Sequence, residues 1–274
     1  MIRALKRLGP GPTIGAFLIV IFVAAALFGP SLAPYSPTAE TGPMLAPSSR
    51  AHLLGTDQFG YDLLSEILYG ARVAAIISLT VVTLSLLIGT ILGTIAGYFG
   101  GLIDDILMRI VDVLLAFPGI LLNIAIVALV ARPGLSHLIF ALTINGWVGY
   151  ARVARGQVLQ LREREFVQAA RAIGASPWRV MARHVAPNIL GPLIVQATAG
   201  AAGVILTEAT LAFLGIGHVA PYSWGALLDQ GTSFLWKTHH LAIVSGSCIA
   251  VVVLGCNLLG DGLRDHLDPR RARR

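Results

Sequence analysis

Apolar residues in this chain come in long runs rather than in the alternating or one-faced patterns of a water-soluble fold. A helix needs about 20 apolar residues to cross the hydrocarbon core of a bilayer, since each adds about 1.5 Å. Six stretches qualify: Ile14 to Leu32, Val73 to Tyr98, Ile110 to Val130, Leu138 to Val153, Ile189 to Leu214 and Leu241 to Leu259. The fourth is shorter and is interrupted by Asn145 and Gly146. The pattern predicts an all-α, polytopic membrane protein with about six transmembrane helices. Its regions would be an N-terminal tail, anchor helix and extracytoplasmic loop over 1–71, a transmembrane core over 72–262 and a basic tail over 263–274.

The first span follows Arg3, Lys6 and Arg7 as a signal peptide would, but Pro34 directly after Ser31-Leu32-Ala33 blocks cleavage there, so it reads as an uncleaved anchor. PYSPTAETGPMLAPSSRAHLLGTDQFGYD is too polar to span and too broken by proline for long helices, and reads as an extended extracytoplasmic loop. Tyr222, Trp224 and Trp236, between the last two spans, suit an interfacial aromatic belt. Gly89, Gly93 and Gly97 have the spacing that permits close helix contact in lipid, or mark flexible packing with no specific partner.

Composition agrees with the pattern. Residues are 55% hydrophobic and 12% charged, and mean hydropathy is +0.77. That charge is far below the roughly 25% of soluble domains, too little to cover a water-facing surface. Cys248 and Cys256 lie eight residues apart in one apolar run, about 12 Å along a helix, too far for a disulfide. The formal net charge of +6 is distributed unevenly. With the N-terminus in the cytoplasm, the cytoplasmic segments hold Arg3, Lys6 and Arg7, then Arg109, then Arg152, Arg155, Arg162, Arg164, Arg171, Arg179 and Arg183, and finally Arg264, Arg270, Arg271, Arg273 and Arg274. Only Arg50, Arg72, Arg132 and Lys237 fall outside, so the positive-inside rule places both termini in the cytoplasm.

The stretch EFVQAARAIGASPWRVMARHVAPN, from Glu165 to Asn188, therefore faces the cytoplasm. Phe166, Ala169, Ala170 and Ile173 recur at i, i+3, i+4 and i+7 and give one apolar helical face. Gly174 can end that helix as a left-handed cap, and Ser176-Pro177 favours the start of another. A basic helix–turn–helix could enter DNA, but tethering to membrane spans at both ends leaves little freedom to lie along a duplex, and no nucleic acid is expected. A docking helix for a cytoplasmic partner and a helix resting on lipid headgroups both remain open from the pattern alone.

The residues also carry a resemblance. EREFVQAARAIGAS followed by Pro187-Asn188 resembles the EAA loop of ABC importer permeases. HLLGTDQFGYDLLSEILYGAR (from His52), MRIVDVLLAFPGILL (from Met108), WVGYARVARGQVL (from Trp147), TEATLAFLGIG (from Thr207) and NLLGDGLRDHLDPR (from Asn257) are similar, in the family's order, to its dipeptide, oligopeptide and nickel permeases. The resemblance implies the type I permease fold in a bacterial inner membrane. It also implies a coupling loop near 155–188, with Glu165, Phe166, Gln168, Ala169, Ala170, Ile173 and Gly174 forming the cytoplasmic coupling helix that docks the ATPase. The assembly would add a second homologous permease, two ATPase subunits that bind ATP and Mg, and an extracytoplasmic binding protein. Peptides are the implied solute, with nickel or a nickel chelate as the alternative. Three positions depart from the family: Gln168 replaces the usual Glu, Ala186 replaces the common Leu before Pro-Asn, and Thr238-His239-His240 replaces the usual Phe-Pro-Gly.

No catalytic residue or cofactor is expected in the chain itself. It has no GxxxxGK[ST] loop, and its only lysines are Lys6 and Lys237. His239 and His240, side by side at a span boundary, read as interfacial residues rather than metal ligands. An intramembrane protease would need a buried nucleophile with a base; Ser245 and Ser247 near His240 are the candidates, but no nucleophile elbow surrounds them. Inside the spans Glu208 is costly in lipid, and it either lines a path or locks helix packing, with packing favoured. Asn145, Gln196 and Thr207 are further path candidates, while Arg109 and Asp112, three residues apart, form either a structural ion pair or a gate.

The charge asymmetry makes a topological prediction. With Cys248 and Cys256 replaced, a cysteine at position 45 is expected to react with an impermeant thiol reagent from outside the cell, and one at position 270 only after permeabilisation. The opposite labelling would reverse the orientation.

Overall fold

A computed structural model of the protein describes residues 10–130, 134–217, 220 and 222–267. Arg3, Lys6, Arg7, Arg132, His218, Arg270, Arg271, Arg273 and Arg274 lie outside the described residues, as does most of the basic tail. Helices make up nearly all of the fold: α1 (Pro10–Leu32), α2 (Leu63–Phe99), α3 (Gly101–Ala116), α4 (Gly119–Ala128), α5 (Leu135–Leu161), α6 (Glu165–Ala172), α7 (Pro177–Val180), a π-helical turn (Met181–Val185), α8 (Ala186–Phe213), α9 (Trp224–Ser233) and α10 (His240–Leu267). No strand forms among the described residues beyond a single antiparallel bridge between Thr56 and Asp62.

Four helices are long and apolar enough to cross a membrane: α1, α2, the continuous run Pro177–Phe213 and α10. The expected third span, Ile110 to Val130, is instead a bent pair. α3 and α4 meet at 86°, because Pro118 has no N–H to donate and forces Phe117 into an extended conformation (φ −91°, ψ 138°). Arg109, expected in the loop after the second span, lies within α3, since a single residue, Gly100, separates α2 from α3. The expected fourth span lies inside α5, whose 27 residues reach about 40 Å. α5 is long enough to cross but too polar to pass as an apolar span, because it carries Asn145, Arg152 and Arg155. The expectation of about six spans, the fourth short and interrupted, thus becomes four single helices, one broken pair and one long polar helix.

α2 and α5 make the most extensive helix contact among the described residues. Its geometry follows from a row of small residues. A Cβ added at Gly89 would strike the Trp147 carbonyl, one at Gly93 the Ala151 carbonyl, and one at Gly97 would sit 2.9 Å from the Arg155 carbonyl. The small-residue spacing therefore marks a specific close approach of two backbones, each glycine lying over every fourth residue of the partner.

The polar segment between α1 and α2 is folded rather than extended. Asp62 caps α2: its Oδ2 accepts from the Ser65 amide at 2.9 Å and the Ser65 hydroxyl at 2.7 Å, while Oδ1 lies 2.9 Å from His52 Nδ1. Asp57 accepts from the Phe59 and Tyr61 amides, both at 2.8 Å. Burial pushes the Asp57 carboxyl above its ordinary range, against the backbone N–H groups that pull it down. His240, at the start of α10, donates Nε2–H to the Thr56 carbonyl at 3.1 Å and so ties the last helix to this loop. Trp224 departs from the interfacial role expected of it: it is buried, with Nε1 donating to the Ile67 carbonyl at 3.0 Å, whereas Trp236 is exposed.

The backbone contact of α2 with α5 generates a stability contrast. Gly93→Ala is expected to destabilise by about 1–3 kcal/mol, since the new methyl meets immobile backbone. Gly156→Ala, whose Cβ would meet nothing within 4 Å, is expected to be neutral or slightly stabilising. Thermal melting in detergent distinguishes the two, and equal shifts would remove the contact from its structural role.

Candidate functional site

The turn between α5 and α8 is built by local signals. α6 ends in a Schellman cap: Gly174 has φ +87°, its N–H donates to the Arg171 carbonyl at 2.9 Å, and the Ala175 N–H donates to the Ala170 carbonyl at 3.0 Å. Ser176 is extended and Pro177 opens α7, so a new helix starts three residues after Gly174. The Ser176 side chain makes no capping bond; the fixed φ of proline starts the helix instead.

The apolar face expected on α6 divides in two. Val167 and Ala170 point inward and pack with Ala154, Val158, Val180, Val185 and Ile189 of the surrounding helices. Phe166 and Ile173 point outward, 44% and 86% exposed, and Ala169 is exposed beside them. These residues line a groove of about 580 Å³ whose other side carries Arg179, Arg183 and His184. Val167 was not part of the expected face, although its burial anchors the helix. Glu165 and Gln168 are exposed, and Gln168 Nε2 donates to the Glu163 carbonyl at 3.3 Å.

This turn is fastened to the end of α2. Arg162 Nη1 donates to the Gly97 carbonyl at 3.0 Å, Arg171 stacks over Tyr98 with its guanidinium carbon 4.6 Å from the ring centre, and Trp178 meets Phe99 edge-on at 6.0 Å. Gly97 stood out in the sequence as a small residue and Arg162 and Arg171 as cytoplasmic charges, but none of these contacts was expected; the signal was the pair Tyr98-Phe99 directly before Gly100-Gly101, where a helix ends on two large rings.

Two ion pairs join α3 to α5 close by. Arg155 grips Asp104 bidentately, Nε to Oδ1 at 2.5 Å and Nη2 to Oδ2 at 2.6 Å, and Arg152 Nη2 reaches Asp112 Oδ1 at 2.7 Å. The expected partner of Asp112 was Arg109. On α3 the arginine precedes the carboxylate, the weaker order for a pair on one helix, and Arg152 from the packed α5 takes the carboxylate instead.

Of the four path candidates, the fold gathers two. Asn145 and Thr207 line a polar cavity of about 200 Å³ between α2, α4, α5 and α8, together with Ser85, Asn123 and Tyr150. Gln196 lies against Gly149, one helical turn from Gly200 of that cavity. Glu208 is buried on α8 and is not part of that lining.

Among the described residues no group of His, Cys, Asp and Glu gathers to hold a metal ion. Ser245, weighed as a nucleophile, donates its proton to the Leu241 carbonyl at 2.7 Å, and both ring nitrogens of His240 are engaged, by Thr56 and Thr238. No serine–histidine pair exists there.

Residues 89–273 match the family model described as the binding-protein-dependent transport system inner membrane component. The chain is 44% identical to the dipeptide transport system permease protein DppC of Alkalihalophilus pseudofirmus, over 94% of this chain and 85% of that one. It is 38% identical to the oligopeptide transport system permease protein OppC of Bacillus subtilis, again over 94% and 85%. Among solved structures, a chain of the inward-facing MetNI methionine ABC transporter superposes with a TM-score of 0.62 at 18% identity, covering 74% of this chain and 97% of that one. That last likeness is one of fold.

The two ion pairs differ in exposure, and this separates their energetics. Arg155 and Asp104 are 35% and 13% exposed, Arg152 and Asp112 52% and 62%. Double-mutant cycles with alanine, read by thermal melting, are expected to give a coupling of about 1.5–3 kcal/mol for the bidentate pair and under ~1 kcal/mol for the exposed one. Equal couplings would contradict the burial argument.

Proposed function

Because the chain belongs to the family of binding-protein-dependent transport system inner membrane components, we propose that it is a membrane-spanning permease subunit of an ATP-driven peptide importer, and that α6 is the helix on which the ATPase acts. It is a membrane component rather than an enzyme. The peptide assignment is supported by relatives that are named as dipeptide, oligopeptide and peptide permeases and that are covered over most of their length. The complete transporter contains a second permease and two ATPase subunits, which bind ATP and Mg, and it receives solute from an extracytoplasmic binding protein. It sits in the bacterial inner membrane with both termini in the cytoplasm.

One observation carries the coupling assignment: α6 buries Val167 and Ala170 against its own protein while leaving Phe166, Ala169 and Ile173 exposed over a groove edged by Arg179, Arg183 and His184. A helix held from one side and apolar on the other is suited to fit a partner's cleft. Arg171 and Trp178 connect it to the end of α2, and the run from Pro177 to Phe213 connects it to a span without a break. Movement of a docked ATPase would therefore reach two membrane helices at once. The basic edge suits a cleft lined by carboxylates or carbonyls.

The test uses the reconstituted complex. Gly174→Val meets no clash, since a Cβ there has open space, but it places a β-branched residue at φ +87°, at a cost of about 1 kcal/mol or more. It is expected to abolish substrate-stimulated ATP hydrolysis while membrane insertion persists. Ile173→Glu, on the exposed side, should do the same; Ala170→Glu is a poorer probe, because Ala170 is buried in the fold. Gln168→Glu, on an exposed side chain, should be tolerated. Wild-type uptake by Ile173→Glu and Gly174→Val would remove α6 from the transmission path.

A further inference from the structure

The cavity between α2, α4, α5 and α8 has a composition that packing does not explain. Its walls include Ser85 from α2, Asn123 from α4, Asn145 and Tyr150 from α5 and Thr207 from α8, with no charged residue among them. Ser85, Asn123 and Tyr150 are 1%, 3% and 3% exposed, yet the Ser85 hydroxyl, the Asn123 carbonyl oxygen and the Tyr150 hydroxyl have no hydrogen-bond partner in the fold. Leaving even one such atom unpaired in a membrane interior costs free energy, and here three helices bring theirs to one place.

Two glycines keep that place open. A Cβ at Gly146 would press on the Ser85 hydroxyl, and one at Gly200 would press on the Tyr150 hydroxyl. Neither position brings a side chain of its own to pair them. The cavity thus combines hydroxyl donors with an amide acceptor in about 200 Å³, a volume that would hold about six waters at liquid density.

We propose that this cavity is an intramembrane subsite for an uncharged amide unit of the transported solute. The inference rests on the reading of the chain as a peptide permease and adds where, and by which chemistry, the peptide is held. A peptide unit presents one N–H and one C=O; the Asn123 carbonyl takes the first, and the Tyr150 or Ser85 hydroxyl donates to the second. Charged peptide termini find no counter-charge in the lining, and their desolvation keeps them outside it. The subsite reads backbone rather than side chain, so it accepts different peptide sequences, and its neutral hydrogen bonds are weak enough to release them.

The experiment measures peptide uptake per ATP hydrolysed in proteoliposomes that contain both permeases, the ATPases and the binding protein. Tyr150→Phe, which removes one oxygen, and Ser85→Ala are each expected to lower this ratio about three- to tenfold, the loss of one neutral hydrogen bond. Cys248→Ala, on α10 and outside the cavity lining, should keep the wild-type ratio. A peptide N-methylated at the amide, chosen so that its affinity for the binding protein is unchanged, should be transported poorly by wild type and should lose little more in an Asn123→Leu background. If Tyr150→Phe and Ser85→Ala keep the wild-type ratio and raise the melting temperature, the cavity holds only water and the inference falls. Absence of peptide uptake by the wild-type complex is a different failure: it overturns the importer reading, and this one with it.

Discussion

The approach of α2 to α5 is the contact on which the rest of the molecule depends. In lipid no hydrophobic gain drives one helix onto another, so association rests on dispersion and on how near two backbones can come. Ser85, Gly89, Gly93 and Gly97 fall on one ridge at four-residue spacing, and Gly146, Trp147, Ala151 and Arg155 supply the surface beneath it. The same ridge does three things along its length. At Ser85 it opens into the polar cavity; at Gly89 and Gly93 it seats backbone on backbone; at Gly97 it offers a carbonyl to Arg162 and delivers Tyr98 to Arg171. Cavity and exposed turn are therefore fixed in one frame.

The two ends of α2 solve the burial of polar groups differently. At its start, Asp62, Ser65 and His52 satisfy one another within a compact loop, and His240 joins α10 to it through the Thr56 carbonyl. At its end, arginines reach across to carboxylates and a carbonyl, with enough exposure that neither partner is fully stripped of water. The first arrangement is rigid and closed. The second is a set of clasps between α3, α5 and the turn, whose strength is graded by how far each pair is withdrawn from solvent.

Features that depend on neighbours in the chain were legible in the sequence. The apolar runs of α1, α2, α8 and α10 follow from the length a bilayer demands, and the sharp turn follows from Gly174, Ser176 and Pro177 acting within a few residues of each other. What escaped depends on which helices become neighbours in space. Asp112 finds Arg152 rather than Arg109 because α5 lies across α3. Val167 turns inward because α5 and α8 are there to receive it, and Trp224 is buried because α2 offers the Ile67 carbonyl. Pro118 was in plain view, but an apolar run counts the same whether its helix is straight or bent at 86°. The cavity needed polar residues from four helices, of which Asn145 and Thr207 stood out only because they interrupt apolar runs.

The exposure of Ile173 also bears on the life of the subunit before it has partners. A large apolar side chain that is 86% exposed, beside a half-uncovered Phe166, is a place where an unassembled copy would adhere to other unassembled copies. Covering that surface protects the chain, and a copy made in excess of its partners keeps it bare. The face suited to a partner is thus also the face that an unassembled copy leaves bare.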